Sequence, residues 1–320
     1  MTESVSAAFV AVKEAIFDRA LLPTLYAAGL MAFEETAEEW LDFALFGALT
    51  VLVSIAVCLP LERVRPAERH DNDRGPIRTD ITYTLLSRLG LTPLFAFVLL
   101  RPIEAAWAAS LARAGLIPPT LETFFPPLRE APLLAFLAYV VVLDFAEYWR
   151  HRLQHQLGWW WALHSLHHAQ RRMTFWTDDR NHLFDDIIAG LWFALVATLI
   201  GVPPGQFPLL VLVMQVAESL SHANVRLEFG RIGRYLLVSP QYHRVHHALD
   251  HAEGRYARVY GCNLAVLLPL WDVLFGTARF TRDYPATGDL SGSDRLARGS
   301  WFGTQVEGAK RFARTLFRRR

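Results

Sequence analysis

The feature that most constrains this chain is a run of nineteen uncharged residues, 43–61. As a helix rising 1.5 Å per residue, this run is long enough to cross about 30 Å of hydrocarbon. Hydrophobic residues make up 52% of the sequence and charged residues only 20%, which excludes a disordered chain and a highly charged nucleic-acid binder. The net charge of +1 creates no global field that attracts a polyanion. The sequence therefore predicts an integral membrane protein.

Further apolar segments predict about four transmembrane helices in an all-α bundle. The segment 81–100 contains one charge, Arg88, close enough to its start for the side chain to snorkel to the interface. The segment 131–143 ends where the chain becomes polar at Asp144. Both segments are therefore expected to span the membrane.

Two other apolar segments leave alternatives open. The segment 187–217 is broken by Pro-Pro-Gly at 203–205, so it predicts a helical hairpin or two closely packed spans. The segment 20–33 has only fourteen residues and is expected at the membrane interface or partly inserted. Acidic residues among the first nineteen argue against a secretory signal peptide.

The distribution of basic residues predicts the orientation. The first 42 residues contain only Lys13 and Arg19, whereas five arginines lie within 63–78. Because cytoplasmic loops are enriched in Lys and Arg, this loop and everything after Arg150 are expected in the cytoplasm. Many arginines beside few lysines are typical of GC-rich bacterial genomes, so the expected location is a bacterial inner membrane.

These patterns divide the chain into three parts. Residues 1–80 are predicted to form an N-terminal membrane segment with an interfacial helix and the first span. Residues 81–277 are predicted to form a second membrane-embedded domain, and residues 278–320 a polar cytosolic tail. Trp149 and the tryptophans at 159–161 are expected in an aromatic belt at the interface.

Histidines carry the chemical signal. Eleven of the twelve lie within 151–251, and several are spaced i, i+3 and i+4, which places them on one face of a helix about 5–6 Å apart. Burying so many imidazoles near a membrane without a metal would leave many donors and acceptors without partners. The candidate ligands are His151, His155, His164, His167, His168, His182, His222, His243, His246 and His247.

The number of histidines indicates two ions with open coordination positions, since a closed structural zinc site uses four ligands. Imidazole suits Zn, Cu, Fe and Ni, so the ligand type alone leaves the metal open. The isolated His70 and His251 are read as ordinary surface or core histidines. The two cysteines, Cys58 and Cys262, form no CxxC metal motif.

The ordered motifs resemble the fatty acid hydroxylase/sterol desaturase superfamily of integral membrane di-iron enzymes. The resemblance covers about 139–277. Its motifs are Asp144-x3-Tyr148-x2-His151-Arg152-x2-His155, His164-x2-His167-His168, Thr177-x2-Arg180-x-His182, His222-x-Asn224, Ser239-Pro240-x2-His243-Arg244-x-His246-His247 and Trp271-Asp272-x2-Phe275-Gly276-Thr277.

The resemblance implies two iron ions held by the ten candidate histidines, O2 as co-substrate, and a lipid substrate reached from the bilayer. It also implies a cytosolic helical cap that carries the dimetal site. Asp144 is expected behind the ligands, accepting a ring N–H and so orienting one of them. Trp271-Asp272 and Phe275-Gly276-Thr277 are expected to hold the cap against the membrane. Because no haem or flavin motif is visible, electrons are expected from a separate reductase.

Three functions remain open at this stage. The first is hydroxylation of a lipid C–H bond in a fatty acyl chain, a headgroup or an isoprenoid. The second is desaturation by the same site, because removing a second hydrogen gives an alkene. The third is a non-catalytic metal-binding or metal-transporting membrane protein. Transport is disfavoured, since the run 43–61 carries no ionisable ligand midway through the membrane.

Overall fold

A computed structural model of the chain describes residues 2–69, 74–201, 207–249, 261–289 and 294–317. The regular secondary structure of the described residues is helical, apart from one isolated β-bridge between Ala248 and Thr287. This confirms the predicted all-α fold class. The α-helices are α1 Thr2–Ile16, α2 Leu22–Ala27, α3 Glu34–Val64, α4 Gly75–Arg88, α5 Leu91–Arg113, α6 Leu121–Phe124, α7 Pro132–Gln156, α8 Gly158–His168, α9 Leu183–Ile200, α10 Phe207–His222, α11 Gly230–Gly233, α12 Pro240–His246, α13 Leu270–Leu274, α14 Asp294–Arg298 and α15 Trp301–Phe317.

Three described helices are long and apolar enough to cross a membrane. They are Met31–Val64, which includes α3, together with α7 and α9. The apolar helix α10 is shorter. The segment 187–217 therefore contributes two helices, and its Pro-Pro-Gly break at 203–205 lies outside the described residues. Residues 20–33 form short helical turns and no helix of spanning length.

The prediction of one continuous span over 81–100 is wrong. The helix ends at Arg88, and a new helix begins at Leu91 after Gly90, whose φ of 82° is left-handed. A side chain at residue 90 would also collide with Trp40, because an added Cβ would lie 2.9 Å from its Nε1. Only glycine adopts this left-handed backbone conformation easily and also leaves room for the Trp40 side chain. The chain therefore turns at Gly90.

The expectation that Arg88 snorkels to the interface is also wrong, because its side chain points into the protein. It is 2% exposed and donates to Asp178 Oδ2 at 2.6 Å and Asp179 Oδ2 at 2.8 Å. It also donates to Ser54 in α3 and to Ser219 in α10. A buried arginine needs such partners, since an unpaired charge is costly in a low dielectric. Arg88 thus joins two helices of the bundle to the 178–179 segment.

Four helices each place one end on the same side of the bundle. The carboxyl-terminal ends of α3, α7 and α10 and the amino-terminal end of α9 lie beside the smaller helices that form the cap. Glu62, near the end of α3, accepts hydrogen bonds from the backbone N–H groups of Phe175 and Asn224. The end of α3 is therefore joined to the segments that carry Phe175 and Asn224. At the other side, Tyr139 of α7 donates to the carbonyl of Gly201, which follows α9.

The segment 278–320, predicted as a polar tail, contains a helix packed on the cap. Thr304 of α15 shares a 2.6 Å hydrogen bond with the hydroxyl of Tyr83. Gln305 accepts from the backbone N–H of Leu183 at 2.9 Å. The approach is close at Gly308, where an added Cβ would lie 2.5 Å from the His182 ring. This helix is therefore part of the folded cap.

We expect Arg88→Gln to destabilise the protein strongly, because Asp178 and Asp179 would stay buried without their cation. Loss of one partner of a buried pair costs roughly 3–5 kcal/mol. Thermal unfolding of the detergent-solubilised protein should show a large drop in apparent melting temperature. Arg78→Gln, at an exposed position of the same helix, is the matched control and should change stability by less than about 0.5 kcal/mol. Equal stability of both variants would contradict the assigned role of Arg88.

Candidate metal centre

Four helices supply the histidines that meet beneath the bundle. The last turns of α7 carry His151 and His155, and α10 ends at His222. Helix α8 carries three histidines on one face, and α12 with the residue after it carries three more. Because of the i, i+3, i+4 spacing, the three side chains of each triplet lie on one face of their helix, and this face is turned toward the other histidines.

The structure brings nine of the ten predicted ligands together in two adjacent groups. Within each group the candidate ligand atoms all lie within 4.8 Å of one another. The rings of His168 and His247, one from each group, stack with centroids 4.3 Å apart. The five-histidine group is His151, His155, His164, His168 and His246, and the four-histidine group is His167, His222, His243 and His247.

The four-histidine group has the spacing of a coordination shell. The Nε2 atom of His222 lies 3.1 Å from Nε2 of His167 and 3.0 Å from Nε2 of His243. Nε2 of His247 lies 3.2 Å from Nε2 of His243. Two nitrogens bound to one metal at about 2.1 Å and at right angles lie about 3.0 Å apart. The nitrogens are therefore placed as they would be around one ion.

The five-histidine group leaves buried nitrogens that a metal would satisfy. The Nε2 atoms of His151, His164 and His168 are buried and have no hydrogen-bond partner. Such groups are costly to leave unsatisfied, and three of them in one group fit the coordination of a metal ion. Imidazole nitrogen is a ligand for Fe, Zn, Cu and Ni alike. The residues present therefore fit a two-metal centre.

Backbone carbonyls fix the orientation of several rings. Nδ1 of His151 lies 2.8 Å from the Leu264 carbonyl, and Nδ1 of His246 lies 2.9 Å from the Cys262 carbonyl. A carbonyl can only accept, so each Nδ1 carries the proton and each Nε2 is left as the metal-binding atom. The tautomer required for coordination is thus set by the protein fold.

The loop that offers these carbonyls is held by Asp272. Its carboxylate accepts from the backbone N–H groups of Leu264 and Ala265 and from the hydroxyls of Tyr242 and Thr277, at 2.6–3.0 Å. Four donors around one buried carboxylate make a rigid anchor. Asp272 therefore helps to position two candidate ligands, His151 and His246, without touching either.

The prediction that Asp144 accepts a ring N–H from a ligand does not match its contacts. Its carboxylate instead accepts from the backbone N–H groups of Leu267 and Leu268 and from Nε1 of Trp271, at 2.8–3.0 Å. Asp144 therefore holds the same loop as Asp272 from the other side. Among the described residues, two other carboxylates lie near candidate ligands: Asp185 Oδ2 is 3.5 Å from Nδ1 of His164, and Asp178 Oδ1 is 3.6 Å from Nδ1 of His222.

Burial keeps the ligands in the neutral form that metal binding requires. The pKa values of five histidines in α8 and around α12 lie well below the ordinary value of histidine. The largest cause is the loss of water around the buried rings, and repulsion between neighbouring imidazoles lowers the pKa values further. These histidines are His167, His168, His243, His246 and His247. Burial also raises the pKa of nearby Asp178 to about 6, against the opposing charge of Arg88.

The structure places His182 outside both groups, so we do not carry it forward as a ligand. Its Nδ1 accepts from the backbone N–H of Phe184 at 3.1 Å, and its Nε2 donates to the Gln305 carbonyl at 2.9 Å. Both ring nitrogens are thereby used in capping α9 and in docking α15. His70 and His251 lie outside the described residues.

A small polar cavity of about 90 Å³ adjoins both groups. His151 and His164 line it from the five-histidine group, and its other walls include carboxylates, an arginine and one aliphatic side chain, Val266. Arg150 and Glu147 form an ion pair beside it. The acidic lining residues are Glu147, Asp178 and Glu218.

Sequence reasoning missed several residues that support the site. Arg88 was assigned to the interface and Asp272 to membrane contact, yet the first binds the Asp178 carboxylate and the second holds the ligand loop. Trp271, which was expected to hold the cap against the membrane, packs against Phe145 of α7 at a centroid distance of 4.8 Å. A charged residue inside an apolar segment was the available signal for Arg88.

The chain resembles several known proteins in sequence. The fatty acid hydroxylase family model matches residues 136–277. An ornithine lipid hydroxylase of Rhizobium tropici is 27% identical over 249 residues, which cover 78% of this chain and 71% of the relative. Alkylglycerol monooxygenases of Xenopus tropicalis and Homo sapiens are each 28% identical over 148 residues, which cover 46% of this chain and only 31% of those proteins. No solved structure matches the chain.

Removal of one histidine from either group should deplete the metal. For His167→Ala and His246→Ala, one in each group, we expect the metal-to-protein ratio to fall by about half or more, because an ion loses one of four or five ligands. Elemental analysis of the purified protein measures this ratio. His182→Gln is the matched control and should keep its metal. Full loading of either alanine variant would remove that residue from the ligand set.

Asp272→Asn should weaken metal binding although residue 272 contacts no ligand. The amide NH2 cannot accept the hydrogen bonds that one carboxylate oxygen accepts, so the loop carrying the Leu264 and Cys262 carbonyls loosens. Loss of such outer support lowers metal affinity about 10–100-fold. Competition with a chelator measures the change. Asp42→Asn, in the first half of α3, is the control, and an equal effect there would point to general instability.

Proposed function

Because this chain is a member of the fatty acid hydroxylase superfamily, and its relatives are lipid hydroxylases and monooxygenases, we propose that it hydroxylates a C–H bond of a membrane lipid. The proposed cofactor is a pair of iron ions, and O2 is the co-substrate. The single observation that carries this proposal is the meeting of nine imidazoles in two adjacent groups at the ends of apolar helices.

Iron and O2 would supply the oxidising power that an inert C–H bond requires, while the protein binds and orients the substrate. In the overall reaction the lipid and O2, with two electrons and two protons, give the alcohol and water. The neutral rings of the nine histidines hold the ions. The Leu264 and Cys262 carbonyls keep two of those rings in the metal-binding tautomer. Asp144 and Asp272 hold the loop that bears the carbonyls.

The polar cavity is the proposed place for the reacting carbon. Its volume of about 90 Å³ leaves room for a few atoms of substrate, so little water remains beside the ions once the lipid is bound. Val266 offers an apolar contact at this cavity, and Arg150 and Glu147 neutralise each other nearby. Because the cavity lies where the apolar helices end, a lipid can reach it without leaving the membrane.

For the substrate class we favour a lipid with an amine-bearing headgroup. The Glu218 carboxylate lines the cavity and forms no ion pair with any described residue, whereas Asp178 and Glu147 have arginine partners. An ammonium group would complement Glu218. The ornithine lipid hydroxylase also matches more of this chain than the alkylglycerol monooxygenases do. Desaturation by the same centre is the second candidate, since it differs only in how the substrate is placed.

The proposed orientation puts the metal centre and the cap in the cytoplasm of a bacterium, with the long helices in the inner membrane. The arginines at 63–78 and after Arg150 support this orientation through the positive-inside rule. A cytoplasmic centre is accessible to a separate reductase, which would supply the electrons. The proposed ligand set is the five-histidine group together with the four-histidine group.

Lipid mass spectrometry tests the activity. Purified, iron-loaded protein in nanodiscs with ornithine lipid, dithionite and air should convert the lipid to a product heavier by one oxygen atom. A matched reaction with an alkylglycerol lipid should give less product, because that headgroup lacks the ammonium. Loss of two hydrogens in place of oxygen addition would identify a desaturase. No product from any lipid class, with the iron fully loaded, would favour a non-catalytic metal protein.

A further inference from the structure

The metal centre approaches the protein surface at one edge. Eight of the nine histidines are buried, and His155 alone is partly exposed. The partly exposed Trp161 packs on this edge, with its ring centroid 4.9 Å from that of His155 and 5.1 Å from that of His168. A single indole therefore connects two rings of the five-histidine group with the protein surface.

A groove begins where Trp161 reaches the surface. It has a volume of about 520 Å³ and lies between α8 and α15. Gly158, Trp161 and Ala162 form one wall, and Arg311, Arg314 and Phe317 belong to the other. The groove is thus an accessible concave surface next to Trp161.

The α15 wall of the groove is basic. Arg314 is exposed, and Arg311 is partly buried beside Asp289 at 3.6 Å. The neighbouring Lys310 is also exposed. A cluster of one sign attracts a partner of the other sign and speeds its association. This charge favours an acidic protein.

The groove and the polar cavity have no lining residue in common. The cavity is lined by His151, His164, His167, His222 and His243, whereas Trp161 of the groove packs against His155 and His168 at centroid distances near 5 Å and against His164 at 6.2 Å. A partner in the groove would therefore not compete with a lipid in the cavity. Two separate approaches to one centre suit a reaction that needs both a substrate and an electron supply.

We propose that the groove between α8 and α15 is the docking surface for an acidic one-electron carrier protein, and that electrons pass through Trp161 to the five-histidine group. Each transfer oxidises the reduced carrier and reduces the metal centre by one electron, and two transfers supply the electrons that one hydroxylation consumes. The inference rests on the proposed oxygenase function. A short aromatic bridge matters because the rate of electron tunnelling falls steeply with distance.

Binding of a carrier to the full-length protein tests the docking surface without relying on turnover. The probes are a plant-type [2Fe–2S] ferredoxin and a flavodoxin, both acidic, measured by biolayer interferometry against detergent-solubilised protein. Arg314→Glu should weaken binding of both carriers about fivefold or more at low salt, because the charge that attracts them is reversed. Arg231→Glu, an exposed arginine of α11, is the matched control and should bind as the unaltered protein does.

Turnover with two reductants tests the role of Trp161. The ratio of ferredoxin-driven to dithionite-driven turnover should fall about tenfold in Trp161→Leu, because the indole bridge is lost, and should recover partly in Trp161→Phe. Metal content is measured for each variant, so that a disturbed site is recognised. An unchanged ratio in Trp161→Leu with its metal retained would overturn the electron route.

Other outcomes separate the docking surface from the proposed activity. If neither carrier binds, or if Arg231→Glu weakens binding as much as Arg314→Glu does, the assignment of the groove is wrong. If Arg314→Glu spares carrier binding but weakens association with nanodiscs rich in anionic lipid, the basic face belongs to the bilayer and the proposal fails. If the unaltered protein makes no product with dithionite, the oxygenase function fails, while the binding comparison still decides the docking surface.

Discussion

Burial of nine imidazoles in one place is the constraint on which the rest of the structure depends. Neutral rings in a low dielectric need a metal or a hydrogen-bond partner at each nitrogen, and each ring must present one particular nitrogen. The carbonyls of Leu264 and Cys262 decide this for His151 and His246. The position of a loop carbonyl depends on how firmly its loop is held, so the hydrogen bonds that Asp144 and Asp272 accept from this loop also help to orient the two rings.

A second buried network joins the cap to the membrane helices. Arg88 connects α3, α4, the 178–179 segment and α10. Arg180 pairs with Asp80 and donates to the carbonyl of Leu296, which ties the cap to α4 and α14. Removal of one partner from a buried ion pair of this kind strongly destabilises the protein, because the other charge stays buried without compensation. These ion pairs hold α10, and with it His222, in register with the cap.

The two approaches to the metal centre differ in their chemistry. On one side, the small cavity has Glu218 and Val266 beside the ligands, which suits a lipid headgroup carried to the end of the apolar helices. On the other side, Trp161 and Arg314 line a larger groove at the cap surface. Helix α15 forms a wall of this groove, so the carboxyl-terminal part of the chain shapes the surface of the site although it supplies no ligand.

The sequence by itself determined the all-helical membrane class and nine of the residues that meet at the centre, because hydrophobic length and i, i+3, i+4 spacing are local properties of a helix. Tertiary structure decided the matters that depend on distant segments. His182 has ligand-like spacing, yet both its nitrogens are taken by Phe184 and Gln305. Arg88 was predicted to lie at the interface, but its side chain is buried and donates to Asp178, ninety residues later in the sequence. The periodicity of a helix determines on which face a side chain lies. The packing of other segments determines which groups that side chain contacts.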